Sequence, residues 1–197
     1  MIALLTGLGL AAAAGLNAWA VLLLFRGLVL LMPQEFPGSI TTLLASPTVF
    51  QIALALFLAE FIVNKIPLVD RLWESAHTLL RPIIGVLLAL ACIPESAGIA
   101  RVAVAVAAGA VTLAAHLAKS TTRLTSTAAT RGGTQVLLSL AEDIVAVVLA
   151  TLCFFQPWFT AILLAGLAFV LLMHRPRVAH AFQMLIFRLQ HPRRRNV

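Results

Sequence analysis

The 197-residue chain is 61% hydrophobic and 11% charged, where an ordinary soluble domain carries about 25% charged residues. Its mean hydropathy of +1.03 leaves more apolar surface than a soluble interior can hide, so a lipid bilayer is the expected solvent and one transmembrane domain the expected extent. A net charge of +7 on so apolar a chain points to anionic lipid headgroups as partners and not to nucleic acid.

In chain order, six apolar runs reach or approach the roughly 20 residues that a spanning helix needs. The first covers residues 2 to 25 and can continue to Met32. It lacks the basic start of a secretory signal and outlasts a signal's apolar core, so it is expected to be retained. Asn17 within it marks either a break near Gly15 or a hydrogen bond to a neighbouring helix, and the second is the simpler expectation. The second run is Thr48 to Val63 and the third, a short one, Pro82 to Ile93. The fourth is Ile99 to Leu117, the fifth Val136 to Phe155 and the sixth Trp158 to Met173. Pro47, Pro94 and Pro157 fall at run boundaries, where a missing N–H does least damage.

Lysine and arginine concentrate in cytoplasmic loops, which tests the count. Six spans put Lys65, Arg71 and Arg81, then Lys119, Arg123 and Arg131, then Arg175, Arg177, Arg188, Arg193, Arg194 and Arg195 on one side. That is twelve of the fourteen basic residues; Arg26 and Arg101 fall on the other, with Arg26 reaching for the outer surface. The expectation is a multi-pass protein with both termini cytoplasmic. Two further segments, "IPLVDRLWESAHTLLRP" and "RVAHAFQMLIFRLQ", place apolar residues at helical spacing opposite charged ones and suit interfacial amphipathic helices. Arg71, Arg81, Arg177, Arg188, Arg193, Arg194 and Arg195 are therefore expected to contact lipid headgroups. Trp73 and Trp158 fall where an interfacial aromatic belt belongs.

Division near Gly98 gives halves 1–98 and 99–175 with three spans each, followed by a basic tail, 176–197. An odd number of spans makes such halves inverted, a design of many transporters. "LAEFIV" (58 to 63) answers "LAEDIV" (140 to 145), and Gly7, Ala11 and Gly15 match Ala110, Ala114 and Ala118 as small-residue rows along which helices approach closely. Glu60 and Glu142 nevertheless both sit toward the cytoplasm, whereas an inverted pair belongs at mirrored depths. Two inverted three-helix repeats and a chance match both stay open.

Charges inside spans are costly and need partners. Glu60 has Asn64 one turn on and Lys65 and Asp70 beyond. His116, Lys119 and Arg123 share one face of the fourth span's inner end. Glu142 and Asp143 are adjacent carboxylates that repel each other, an arrangement suited to holding a proton. Two readings stay open for this set: a buried ion-pair network that fixes helix packing, or a polar site, open to the cytoplasm, that binds a proton or cationic group. The "TRGGTQ" loop (130 to 135) reads as a helix start before it reads as an anion nest. Cys92 and Cys153, each alone in an apolar run, read as small buried hydrophobes. There is no P-loop, G-x-S-x-G, H-E-x-x-H or dinucleotide fingerprint. No catalytic constellation, metal site or cofactor is expected.

The chain resembles the domain of unknown function 4126 family of small bacterial inner-membrane proteins over nearly its whole length. The resemblance rests on "GLAAAAGLNAW", "LASP", "EFIVNKIPLVD", "HTLLRPIIG", "AHLAKSTTR" and "SLAEDIV" followed by "QPW". Glu60, Phe61, Lys65, Ile66, Pro67 and Asp70 match the family's E-F-x-x-D-K-I-P-x-x-D pattern, and Asn64 stands in place of its aspartate. "TSTAATRGGTQ" replaces the family's Pro-Glu-Pro-like loop. The resemblance implies a bacterial inner-membrane location and supplies no activity. From the residues, a small transporter, channel or lipid-translocating protein comes first. A scaffold or accessory subunit that recruits a partner protein comes second and a lipid-modifying membrane enzyme third; a homo-oligomer is open under each.

Overall fold

A computed structural model of the chain describes residues 1–36, 38–63, 67–130 and 135–173. These are all-helical: α1 (Ile2–Leu16), α2 (Ala18–Leu31), α3 (Ser39–Leu44), α4 (Pro47–Val63), α5 (Pro67–Ala91), α6 (Ile99–Thr130), α7 (Gln135–Phe155) and α8 (Phe159–Met173), with short 3-10 turns at Pro33–Glu35 and Glu95–Ala97. No strand occurs among the described residues.

Helix α1 forms the axis of the bundle. Thr6, Gly7 and Gly9 to Gly15 are all buried, and α5, α6 and α7 pack directly around it, with α8 and α2 closing the ring. Alanine and glycine permit this because nothing projects to hold the surrounding backbones away. A Cβ on Gly15 would lie 2.5 Å from the Thr112 carbonyl oxygen and 2.6 Å from Ala115 Cβ. Gly85 of α5 makes the same allowance for the Thr112 side chain. The Thr112 hydroxyl donates to Ala108 O at 2.8 Å and approaches Ala11 O at 2.9 Å. Three helices thus meet at one threonine.

The expected first span is broken. Asn17 takes an extended conformation, φ −145° and ψ 100°, between α1 and α2. The expected interfacial helix and short third span are, in contrast, one helix of 25 residues, α5, with Pro82 inside it. Pro82 lacks only the N–H that would reach the Thr78 carbonyl, a local loss that packing against α1 and α6 outweighs.

Helix α4 opens with Pro47 in its first turn, a position where proline's missing N–H is not needed, and Ser46 Oγ accepts from Val49 N at 3.3 Å as its cap. Of its residues only Ala53 and Glu60 are buried, two turns apart on one stripe. Ile52, Leu58, Phe61 and Ile62 face outward. The outer faces of α6, α7 and α8 are likewise apolar, with Val106, Leu137, Ile144 and Phe169 exposed. Among the described residues two helical stretches are long and apolar enough to cross a membrane, Ile99–Thr122 of 24 residues and Val136–Phe155 of 20. At the opposite end of α5, Arg101 donates to Ile93 O at 2.7 Å, while Arg26 donates to Ala45 O and lies over the Phe50 ring. Cys92 and Cys153 are buried free thiols.

Candidate functional site

The break at Asn17 leaves two helix ends inside the bundle, each needing partners for its backbone groups. Asn17 answers for α2: its Oδ1 accepts from Ala20 N at 3.0 Å, an N-cap bond. That bond fixes the amide's orientation, and the Nδ2 hydrogen then goes to Asp143 Oδ1 at 2.7 Å. At the end of α1, Lys119 Nζ donates to Leu16 O at 2.7 Å and Arg81 Nη1 reaches Gly15 O at 3.3 Å. Cations therefore sit at the negative end of one half-helix and a carboxylate at the positive end of the other, as the helix dipoles favour.

Glu60 joins this set from α4. Arg81 Nη2 donates to Glu60 Oε1 at 2.8 Å, and Lys119 Nζ lies 3.8 Å from the same oxygen and 3.3 Å from Glu142 Oε2. Arg81 is 0% exposed, Glu60 1% and Lys119 4%. Charges this deep depend on one another, because in low dielectric neither partner has water to fall back on. The guanidinium spends its Nη1 hydrogen on His116 Nδ1 at 2.8 Å. That nitrogen must accept, so His116 carries its hydrogen on Nε2, 3.1 Å from Thr78 Oγ1.

His77 is wired the other way. The Trp19 indole N–H, which can only donate, lies 2.8 Å from His77 Nε2, so Nδ1 holds the hydrogen and gives it to Trp73 O at 2.8 Å. Trp19 and Trp73 also pack on the ring, at centroid distances of 5.7 and 4.8 Å. Although His77 Nε2 is 4.0 Å from Glu60 Oε2, the two do not form an ion pair: the nitrogen already accepts. Glu60 Oε2 is left buried without a hydrogen-bond partner. Among the described side chains, the carboxylates of Glu60, Glu142 and Asp143 thus gather around Arg81 and Lys119, and both histidines present acceptor nitrogens to the donors named here.

Of the residues expected at a polar site, the fold brings Glu60, His116, Lys119, Glu142 and Asp143 together. Asn64 and Lys65 lie outside the described residues, as do the side chains of Asp70 and Arg123. Arg81 is a correction. Expected at the lipid headgroups, it is wholly enclosed, because α5 continues through Pro82 and carries it onto Glu60 and His116. The Arg71 side chain and Arg177, Arg188, Arg193, Arg194 and Arg195 fall outside the described residues. Glu60 is closed off in this arrangement, and Glu142 is the partly exposed member. Arg81, Thr78 and Trp19 were not expected at the polar site, and His77 was expected beside His116 and the carboxylates only as an acid–base group of the enzyme alternative. The sequence signal for Arg81 was its place at the fourth position of an unbroken helical turn from His77, next to a proline that looked like a boundary. No group of three or more His, Cys, Asp and Glu able to hold a metal ion occurs among the described residues.

No curated protein and no solved structure matches the chain. Residues 4–177 match the family described as domain of unknown function DUF4126. A match over so much of the chain carries the whole cluster, from Asn17 to Asp143, and the chain belongs to the DUF4126 family.

Proposed function

We infer that the chain is a six-span integral membrane protein of the bacterial inner membrane, with both termini cytoplasmic, and that it moves a small solute past the buried cluster. The observation that carries this is the break at Asn17, where the ends of α1 and α2 meet Arg81, Lys119 and Asp143 in the middle of an otherwise apolar bundle. Discontinuous helices whose ends face buried charges are the usual way membrane transporters build substrate and ion sites. A purely structural network has no need to interrupt its central helix. Glu60 Oε2, buried and unused by the protein's own donors, is the acceptor offered to a proton or to a donor on the solute.

The single apolar stretches in the other four spans, such as Ala76–Ala91 of α5, are 10–17 residues long. Helix α4, with 17 residues, is about 25 Å long and sits at the lower limit for crossing; α1 with α2, α5 and α8 complete the count. The inverted relation between halves gains from one detail. The glutamates of the two matching hexapeptides, Glu60 and Glu142, both reach Lys119 Nζ, so the ammonium lies where the halves meet. A transport cycle then has a simple physical form: the closed cluster opens when the partners of Lys119 exchange.

The test is reconstitution of the purified protein in vesicles with a pH gradient and measurement of solute or proton flux. Flux above that of empty vesicles, abolished by Glu60→Gln with Glu142→Gln, is expected. Flux unchanged by the double substitution removes these carboxylates from the path. Absence of flux with stoichiometric recovery of a second protein favours the scaffold function.

A further inference from the structure

Helix α4 is attached to the bundle unevenly. Of its residues only Ala53 and Glu60 are buried, and it packs mainly on α2, more lightly on α3 and α5. A groove of about 520 Å³ separates it from α7, with Phe57, Leu58 and Phe61 on one wall and Leu140, Ile144 and Val148 on the other. Lipid tails are as apolar as these side chains, so no hydrophobic force draws the two walls together. What fixes α4 in place is a small number of specific contacts.

Among the described residues those contacts fall at two places. At the start of the helix Arg26 of α2 donates to Ala45 O and lies over the Phe50 ring, with Cζ 5.1 Å from its centroid. The helical run is interrupted there, between Leu44 and Pro47, which leaves fewer backbone hydrogen bonds to resist a bend. Ala53, close beyond, shares a hydrophobic cluster with Val21, Leu22 and Phe25 of α2. The second place is Glu60, about 15 Å further along the helix than Phe50. Its Oε1 accepts from Arg81 at 2.8 Å and lies 3.8 Å from Lys119, while Oε2 is buried without a hydrogen-bond partner. An ionised carboxylate is costly in lipid, so the pair with Arg81 keeps this end of α4 against the bundle.

We propose that α4 is the gate of the buried cluster, pivoting about Arg26 and Ala53, with the Glu60–Arg81 pair as its latch. A donor that reaches Glu60 Oε2 competes with Arg81 for the carboxylate charge, loosens the latch and lets the far end of α4 move away from α5. The groove beside α7 then widens into an entrance, because Asp143 borders it and is joined to the cluster through Asn17. The gate rests on the transport function inferred above for what passes it, while its movement is measurable without transport.

The full chain, with Cys92 and Cys153 replaced by alanine, is spin-labelled in phosphatidylcholine nanodiscs for distance measurement by double electron–electron resonance. A label at Phe169 of α8 is paired with one at Ile62, on the latched end of α4, or with one at Gln51, near the pivot; all three positions are exposed. One narrow distance is expected for each pair. Glu60→Gln removes the charge and keeps the shape, and is expected to shift the Ile62 distance by about 5 Å, the scale of a one-turn displacement, with the Gln51 distance unchanged. An unmoved Ile62 distance overturns the gate, and so does equal broadening of both pairs, which is loosening of the whole bundle. A second measurement leaves Glu60 intact. Leu58→Cys and Ile144→Cys, on facing walls of the groove, are bridged by a short bifunctional thiosulfonate in reconstituted vesicles. Solute or proton flux is expected to be lost on bridging and to return on reduction. Flux that persists through the bridge and is still abolished by Glu60→Gln with Glu142→Gln sinks the gate and spares the transport function. Movement of the Ile62 label without flux upholds the gate and removes the transport function.

Discussion

Arg81 decides what its neighbours can be. Its guanidinium holds Glu60 Oε1 with one nitrogen and His116 Nδ1 with another, so its removal strands a buried carboxylate and frees a ring nitrogen at once. Breaking such a pair from one side typically costs about 3–5 kcal/mol. Arg81→Met is therefore expected to lower the melting temperature of the detergent-solubilised protein sharply, followed by helical circular dichroism. Adding Glu60→Met to it is expected to recover most of the loss, since the uncompensated charge goes too; equal instability of single and double variants contradicts this account of the pair. The acidic half of the cluster was legible in the sequence because Glu60, Glu142 and Asp143 each interrupt an apolar run and so demand a reason. Arg81 was not. It precedes Pro82 and follows the exposed Leu79 and Leu80, and hydropathy alone cannot tell a charge at the edge of a span from one carried inward by a helix that continues through proline.

At the scale of elements, the break between α1 and α2 is held by one residue. Asn17→Ala removes the bond to Ala20 N and the donor to Asp143 together. The cap alone is worth about 1 kcal/mol, and the loss should exceed that, seen as a lower midpoint in thermal unfolding. Asn17→Asp, which can still cap, sets a second carboxylate against Asp143 and is expected to be the worse of the two; a midpoint above that of the alanine variant contradicts this. Sequence reasoning offered a break or an interhelical bond as alternatives for Asn17, and the side chain does both, one with each end of its amide. The crossing of α1, α5 and α6 makes a packing prediction. In Gly85→Ala the new methyl meets the Thr112 side chain, whose hydroxyl is fixed by backbone carbonyls, and overpacking of this kind typically costs about 1–3 kcal/mol. Partial restoration of stability by Thr112→Ala in the same background, which removes the nearest atom, the Thr112 hydroxyl oxygen, identifies the clash.

The other end of the bundle carries a pH-dependent cap. Glu95 Oε1 accepts from both Ser39 N and Ser39 Oγ, at 2.8 and 2.7 Å, and these bonds hold the Glu95 carboxyl below the usual glutamate range. A lowered folded-state value means the contribution is complete above the ordinary range and is lost as pH falls through the lowered one. Hydrogen exchange at the Ser39 amide should therefore quicken on acidification, beyond the intrinsic pH dependence, and should be fast at all pH in Glu95→Gln. An amide equally protected in that variant places the cap elsewhere.

Over the whole molecule the distribution of polarity runs opposite to that of a soluble protein, whose charges lie outside. Leucine, isoleucine and phenylalanine cover the outside of α4 and α7 while Arg81, Glu60, Lys119 and Asp143 are enclosed. Removing the two enclosed cations, Arg81 and Lys119, from the loops leaves ten basic residues expected on one side of the bilayer against Arg26 and Arg101 on the other, so the asymmetry from which the proposed orientation is read survives the correction to α5. This orientation is open to a direct measurement. In a background with Cys92 and Cys153 replaced by alanine, single cysteines at Ala128 and Gln190 should react with an impermeant thiol reagent only from the cytoplasmic face. One at Ser96, in the exposed turn between α5 and α6, should react only from the opposite face. Labelling of positions 128 and 190 from different faces requires an odd number of crossings between them, which dismantles the pairing of α7 with α8 as consecutive spans. Labelling of position 96 from the cytoplasmic face instead turns α5 and α6 into one re-entrant pair and cuts the six expected crossings to four, which leaves α5 too few apolar neighbours on the far side to carry Arg81 through the bilayer as a span.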